Sequence, residues 1–512
     1  MPARLLSVFA ILVSAAVLPA ADRPNIIYIL ADDLGIGDLS CYNTESKIQT
    51  PFVDQLAAEG MRFTDAHTPS AVCTPTRYGI LTGRYCWRTR LKYRVLDGFD
   101  PPLITEDQVT VPSLLRQAGY DTHCVGKWHL GMHWTDKKGD PVPAVSIDRR
   151  SPPRPGLDVD YSVPVKGGPV DVGFDTWFGI SASLNMSPFC YMVDDLPYRL
   201  PVLHQDKIRT EFIAVDEGVR SPDFSIYGVM PRFAGEAVRI IEEQANTPEK
   251  PFFIYAPLSS PHLPVVPNEE YRNTSKAGFY GDFVVETDAF LGAVMETLDR
   301  TGLADNTLVV FTSDNGGLYH WWNPEEADDV AHYKVRGRGT AMKEFGHQGN
   351  MHLRGTKADI WEGGHRVPFV VRWPGKTPAG TVSDELIELT DLLNTCAAIT
   401  ETDLPEGAGP DGRNILPALL AEKPETPVRE FAVHHSLWGV FAIRKGPWKM
   451  TPHRGSGGFS IPRELDPGKV GGPEGQLYHL GDDPSETKNL WEENPEVVAE
   501  LRELLREVKG SN

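Results

Sequence analysis

Two short apolar runs, Asn25-Ile26-Ile27-Tyr28-Ile29-Leu30 and Thr307-Leu308-Val309-Val310-Phe311-Thr312, each end abruptly in acidic and amide side chains. Apolar residues that continue without alternation mark strands covered on both faces, as in a parallel sheet lined by helices. Between such runs, Val53 to Gly60, Val111 to Ala118, Ala234 to Ala245 and Phe283 to Leu298 carry apolar residues at helical spacing. The alternation predicts a layered α/β domain, a large mixed sheet sandwiched by helices. From Glu430 onward it gives way to Phe431 to His435, Gly439 to Arg444 and Trp448 to Met450, which read as short antiparallel strands, and a helix from Pro495 to Val508 closes the chain. The expected division is therefore a large α/β domain over residues 22–425 and a smaller C-terminal antiparallel-sheet domain of α+β type over 426–512.

The polar residues at the ends of these runs point to chemistry. The first run leads into Ala31-Asp32-Asp33-Leu34-Gly35 and the second into Ser313-Asp314-Asn315-Gly316-Gly317. Each alone reads as a polar turn. Adjacent carboxylates repel unless a cation sits between them, and in open α/β sheets distant residues converge beyond the carboxyl ends of the strands. Asp32, Asp33, Asp314 and Asn315 would then form an all-oxygen cage. Hard oxygen donors suit Ca²⁺, with Mg²⁺ as the alternative.

Three further segments carry titratable groups. Gly126-Lys127-Trp128-His129-Leu130-Gly131 follows the strand-like Tyr120 to Val125. A Lys-x-His pair on extended chain would point both side chains to one face, a fixed cation beside a base. Phe252 to Ala256 leads into Pro257-Leu258-Ser259-Ser260-Pro261-His262-Leu263-Pro264, where prolines on both sides of His262 stiffen the backbone. Leu353-Arg354-Gly355-Thr356-Lys357 continues through Glu362-Gly363-Gly364-His365-Arg366-Val367-Pro368.

Cys73-Thr74-Pro75-Thr76-Arg77 has the form Cys-x-Pro-x-Arg and precedes the small, turn-prone run Tyr78 to Arg84. With the other segments in order from position 25 to 368, the chain resembles the type I, formylglycine-dependent sulfatases, arylsulfatase-like members of the alkaline phosphatase superfamily. The resemblance implies that a formylglycine-generating or sulfatase-maturing enzyme oxidises Cys73 to an aldehyde, whose hydrate supplies the oxygen that attacks sulfur. It also implies that residue 73 joins Asp32, Asp33, Asp314 and Asn315 around the metal. Arg77 would help hold the hydrate, and Asp314 would help take its proton. Lys127, His262 and Lys357 would neutralise the sulfate oxygens, with His262 or Lys357 protonating the departing alcohol. His129 would then take a proton from the second hydroxyl, a release path that a serine lacks. The expected activity is hydrolysis of sulfate esters, of a sulfated carbohydrate or an aryl sulfate. The competing readings are a phosphonate or phosphate-ester hydrolase of the same superfamily, and a non-catalytic sulfated-glycan binder if Cys73 stays a small buried thiol.

Composition narrows the setting. Met1 to Ala21 places Arg4 before an apolar run from Leu5 to Val17 and ends in Ala20-Ala21, the form of a secretory signal peptide that is too short for a membrane span. Export to the periplasm or beyond is expected, with no membrane span after signal removal. With Cys73 committed, Cys41, Cys86, Cys124, Cys190 and Cys396 are odd in number and cannot all pair within one chain. A formal net charge of −20 argues against nucleic acid as a partner. It also requires local cations to dominate at any site for a polyanion. Two irregular stretches are candidate pocket walls: residues 141–169, with seven prolines, and 318–352, with Tyr319-His320-Trp321-Trp322 and the basic run Lys334 to Arg338.

Overall fold

The computed structural model describes residues 23–144, 155–210, 212–318, 345–422, 426–463 and 472–510. The expected signal segment and the runs at 319–322 and 334–338 lie outside the described residues. Strands β1 (Asn25–Ala31), β2 (Met61–Phe63), β3 (Asp121–Lys127), β4 (Thr176–Ile180), β5 (Met192–Val193), β6 (Leu196–Pro197), β7 (Phe252–Pro257), β8 (Thr307–Ser313), β9 (Phe369–Arg372) and β10 (Thr381–Ser383) form one sheet. Their order is β10-β2-β9-β8-β1-β7-β3-β4-β5-β6. The middle of it, β8-β1-β7-β3-β4, is parallel throughout, while antiparallel pairs flank it through β9 and β5. The sheet is thus mixed, and its parallel centre brings the carboxyl ends of β1, β3, β7 and β8 to one edge.

Strand β1 is fully buried because the sheet is covered on both sides. Ile26, Tyr28 and Leu30 enter one core while Ile27, Ile29 and Ala31 enter the other, as a pleat of period two requires. Helices α1 (Pro51–Glu59), α2 (Cys73–Thr82), α3 (Val111–Gln117), α4 (Val229–Gln244) and α5 (Gly278–Thr301) cover the faces. Helix α2 departs from the turn expected for Tyr78 to Arg84. Pro75 falls in its first turn, where no backbone N–H is needed, and Gly83 ends it at φ 60°. The described part of the proline-rich stretch is packed: Val142, Val159, Tyr161 and Val165 enter the core, and Tyr161 meets Trp134 edge-on at 5.6 Å.

The C-terminal strands β11 (Phe431–His435), β12 (Phe441–Lys445), β13 (Trp448–Thr451) and β14 (Gln476–His479) form an antiparallel sheet in sequential order. Helix α6 (Pro495–Gly510) lays Val498, Leu501, Leu505 and Val508, spaced three and four apart, on Val433, Ile443, Met450 and Leu477. Tyr85 and Trp87 of the large sheet's side join that cluster. All six cysteines are free thiols.

Candidate active site

The parallel centre of the sheet positions the carboxylates. Where β1 ends, Asp32 N donates to Ser260 O at 2.9 Å; where β8 ends, Asp314 N donates to Ala31 O at 3.0 Å. Asp33 takes a left-handed φ of 69°, a conformation that costs a non-glycine residue free energy and fixes its side chain against its neighbours. Gly316 allows the β8 loop to touch the 362–365 turn: a Cβ there would sit 1.9 Å from Gly363 O. Asp32, Asp33, Asp314 and Asn315 are all fully buried.

Three cations face these groups. Lys127, the last residue of β3, donates to Asp32 Oδ2 at 2.5 Å. Arg77, one turn into α2 from Cys73, grips Asp314 Oδ2 through Nε at 2.9 Å and Nη2 at 2.8 Å, and donates from Nη1 to Lys127 O at 3.1 Å. Lys357 Nζ lies 2.6 Å from Asp33 Oδ1 and 2.8 Å from Oδ2. Asn315 Nδ2 donates to Asp33 Oδ1 at 2.8 Å. Burial opposes the charge of Asp32, yet Lys127, His262 and Arg77 hold its carboxyl well below the usual range. Burial and the charge of Asp32 push Asp314 up instead. Two oxygens remain without a partner: Asp32 Oδ1 and Asn315 Oδ1. Buried acceptors left unsatisfied are costly, and hard oxygen donors among mutually repelling carboxylates fit Ca²⁺ or Mg²⁺.

Cys73, 2% exposed, starts α2. Burial pushes its thiol up despite Lys127 and Lys357 nearby, so the group stays protonated and a poor nucleophile. His129 and Lys127 do not share a face by strand alternation, as their spacing predicts. Extended chain ends at Lys127, and His129 is at φ 57°. A tight turn brings the histidine to the site: its N donates to Ser181 O at 3.0 Å, and Thr74 Oγ1 donates to His129 O at 3.1 Å. His129 Nε2 donates to Leu96 O at 2.9 Å. Since a carbonyl only accepts, this bond puts the proton on Nε2 and leaves Nδ1 an open acceptor. Nδ1 is buried and has no partner. Burial, then Lys127, holds the ring well below the ordinary histidine value. His262 Nδ1 donates to Leu263 O at 2.6 Å, with Nε2 3.7 Å from Asp33 Oδ2. Burial, then Lys357, moves it down to about 4.

The structure therefore gathers Asp32, Asp33, Cys73, Arg77, Lys127, His129, His262, Asp314, Asn315 and Lys357 at one edge of the sheet. It also exposes supports that the motifs do not announce. The Leu96 carbonyl belongs to a segment braced by Trp134, whose Nε1 donates to Gly98 O at 3.1 Å. Asp359 receives Thr356 N at 2.9 Å and Phe459 N at 2.7 Å, tying the Lys357 loop to the C-terminal sheet's side.

A second cluster, His67, His365 and His434, brings three ring nitrogens together. The His365 and His434 rings stack at 3.8 Å with 11° between planes. Lone pairs lie in the ring plane, so parallel rings cannot both aim at one ion. His67 Nδ1 meets His365 Nδ1 at 3.0 Å and Lys449 Nζ meets His365 Nε2 at 3.0 Å, a polar junction between the two sheets.

Comparison with known proteins gives a consistent result. The family model described as Sulfatase matches residues 24–402. An N-acetylgalactosamine-6-O-sulfatase of Bacteroides thetaiotaomicron is 33% identical, covering 96% of this chain and 94% of that protein. Arylsulfatase A of Bos taurus is 31% identical, covering 97% and 89%. A solved structure described under the metabolism of multiple glycosaminoglycans by Bacteroides thetaiotaomicron superposes with a TM-score of 0.78 at 31% identity, covering 96% of this chain and all of that one.

Proposed function

The chain belongs to the sulfatase family and is a sulfuric ester hydrolase, and from that premise we propose that it is an exported enzyme that removes sulfate from a sulfated glycan. The observation that carries the proposed mechanism is the buried cage beside Cys73, with two unpartnered oxygens among three carboxylates. In this reading Asp32, Asp33, Asp314 and Asn315 hold a divalent cation, which supplies Lewis-acid polarisation when bound. A formylglycine at position 73 supplies, as its hydrate, the attacking oxygen and a path for sulfate release.

The protein's own residues perform the rest. Arg77, forked onto Asp314 and bonded to the Lys127 carbonyl, fixes the two motifs relative to residue 73. Lys127 and Lys357 present preorganised positive charge where the sulfate oxygens gather negative charge, a water-poor arrangement that favours the transition state. Burial does not strip Lys357 of its proton: Asp33 beside it raises its affinity, so it enters the reaction charged and can hand a proton to the leaving oxygen. His262 is neutral near pH 7 because of its lowered value and keeps its proton on Nδ1, toward Leu263 O. A sulfate anion beside Nε2 raises the ring's proton affinity, and the ring, once protonated, donates to sulfate. His129 accepts a proton at Nδ1. We further assign residues 22–425 to the catalytic domain and 426–512 to the smaller one.

The glycan reading draws on the relative named for N-acetylgalactosamine-6-O-sulfate. Incubation with defined sulfated mono- and oligosaccharides, in parallel with matched phosphate esters, tests it: release of sulfate from 6-O-sulfated N-acetylgalactosamine units is expected, with phosphate esters turned over far more slowly. Turnover of aryl sulfates alone, across a full panel of sulfated sugars, would remove the glycan substrate.

Metal removal should show in two readouts. Stripping the cation leaves Asp32, Asp33 and Asp314 to repel one another in a buried cage, so thermal stability falls along with activity. Asp314→Ala is expected to lower kcat/KM by about a hundredfold or more, as it removes both a ligand and the Arg77 anchor. Unchanged melting and turnover after metal content has been verified as nil would count against a cation at this site.

A further inference from the structure

We propose that a cleft at the junction of the two sheets is a second, non-catalytic site that holds anionic stretches of a sulfated saccharide. The cleft encloses about 520 Å³. Arg84, Arg88, Lys92 and Lys509 line it, and no carboxylate does. In a chain with 70 acidic and 50 basic residues, four cations around one cavity depart from the average charge.

The cations are not neutralised from within the fold, with one exception. Arg88 is forked onto Asp411, through Nε at 2.9 Å and Nη2 at 2.8 Å, with both side chains nearly buried. Among the described residues, Arg84, Lys92 and Lys509 have no carboxylate within ion-pair distance. Lys92 spends one of its three donors on Trp87 O at 2.7 Å and stays exposed. Lys509 lies 4.0 Å over the Phe441 ring, and partial burial lowers its pKa. A cation that has lost some of its water without gaining a counter-charge gains from a bound anion. The field reaches inward too: burial pushes His435, behind the cleft, down to about 4, and Lys509 and Lys92 add to that shift.

Charge alone would suit any anion. The aromatic lining narrows the choice, because Trp438 and Tyr93 add aromatic side chains to the same cavity, while the Phe441 ring is already covered by Lys509. Sugar rings stack on aromatic faces through their C–H edges, and sulfate oxygens take the donors of arginine and lysine. Nucleic acid is disfavoured by the net charge of −20 over the rest of the surface.

The place of the cleft fits a polymer. Cys73 starts α2 and Arg84 lies just past its C-terminal end, which puts the Arg84 end of the cleft about 15 Å from residue 73; at the other end Trp438 follows Leu437, whose N donates to Ala358 O at 3.0 Å beside Lys357, so the cleft adjoins the active-site loop. The chain from Lys92 to Leu96 leaves the cleft and ends at the carbonyl that orients His129. An anionic chain seated here would stay beside the active site between turnovers.

This inference rests on the sulfated-glycan reading, and the test separates the two. Binding of chondroitin 6-sulfate chains to Cys73→Ala protein is measured by calorimetry at two salt concentrations, with and without Lys92→Glu and Lys509→Glu. Both lysines are exposed, so the fold should survive, and Trp438→Ala provides a variant that leaves charge untouched. The double charge reversal should weaken polymer binding by about tenfold or more and flatten its salt dependence. In the Cys73-bearing enzyme it should leave kcat/KM for a small aryl sulfate within about twofold, since neither lysine is among the groups gathered around residue 73. Unchanged polymer affinity in the variants overturns the cleft while leaving the glycan activity standing. Equal loss of aryl sulfate turnover overturns its separateness. Single-stranded DNA held as tightly as the polysaccharide assigns the cleft to polyanions in general and overturns the saccharide. Polymer bound through the cleft but never desulfated would leave the cleft intact and remove the glycan substrate.

Discussion

Cys73→Ser is expected to end multiple turnover, with kcat lowered by about 10⁴-fold or more, as for loss of a catalytic nucleophile. Cys73 is 2% exposed, and burial raises its thiol above the ordinary value even with Lys127 and Lys357 close by. A thiolate is therefore not favoured there, in keeping with the proposed mechanism, in which residue 73 attacks only after conversion. A serine alcohol offers one oxygen and no second hydroxyl, so any sulfate it accepts stays attached. Intact mass after incubation with an aryl sulfate should show sulfated protein for Cys73→Ser and none for Cys73→Ala. The mass of the wild-type peptide containing residue 73 reads the aldehyde directly. Wild-type turnover in the serine variant would remove the mechanism.

The convergence of Asp32, Asp33, Asp314 and Asn315 was legible in the sequence because they sit at the ends of unmistakable strands. Asp32 and Asp33 follow a seven-residue strand buried along its whole length, and Asp314 and Asn315 follow another; parallel pairing of those strands makes their ends neighbours. The layered fold was legible for the same reason. Features set by contacts between distant segments were not. Nothing near His129 in sequence indicates that the Leu96 carbonyl chooses its tautomer, because the two residues are 33 apart and meet only after folding. The spacing of Lys127 and His129 suggests strand alternation, whereas the left-handed φ of His129 is imposed by packing. Helix α2 was hidden by Pro75 and Gly79, residues that weaken a helix in isolation but that here lie wholly buried in a crowded core. Strand β14 is four residues long and ends in a histidine, too short for its period to stand out. The cationic cleft draws on residues 84–93, 438–441 and 509, which no local pattern connects.

His129→Ala and Lys357→Ala should fail at different steps. Lys357 lies against Asp33 with its ammonium retained, and in the proposed mechanism it faces sulfate and the leaving oxygen. Its removal takes positive charge from the first chemical step and slows alcohol release itself, by about 10²- to 10³-fold. His129 has Nε2 committed to Leu96 O and only Nδ1 open, and its low pKa keeps that nitrogen unprotonated near neutrality. A neutral base with one open lone pair cannot help the alcohol leave, since it has no proton to give there; it can take one once the alcohol has gone. His129→Ala should therefore release one equivalent of alcohol per enzyme at close to the wild-type rate, followed by a steady state slower by about 10²- to 10⁴-fold, the usual worth of a positioned base. Lys357→Ala should show a slow linear release from the start. Rapid-quench measurement of alcohol from an aryl sulfate distinguishes the two, and a burst in Lys357→Ala with none in His129→Ala would reverse the assignment. Leu96 supplies an internal control: because its carbonyl, not its side chain, orients the ring, Leu96→Ala should keep the wild-type order of steps, whereas a conformational shift of that segment should reproduce the His129→Ala burst.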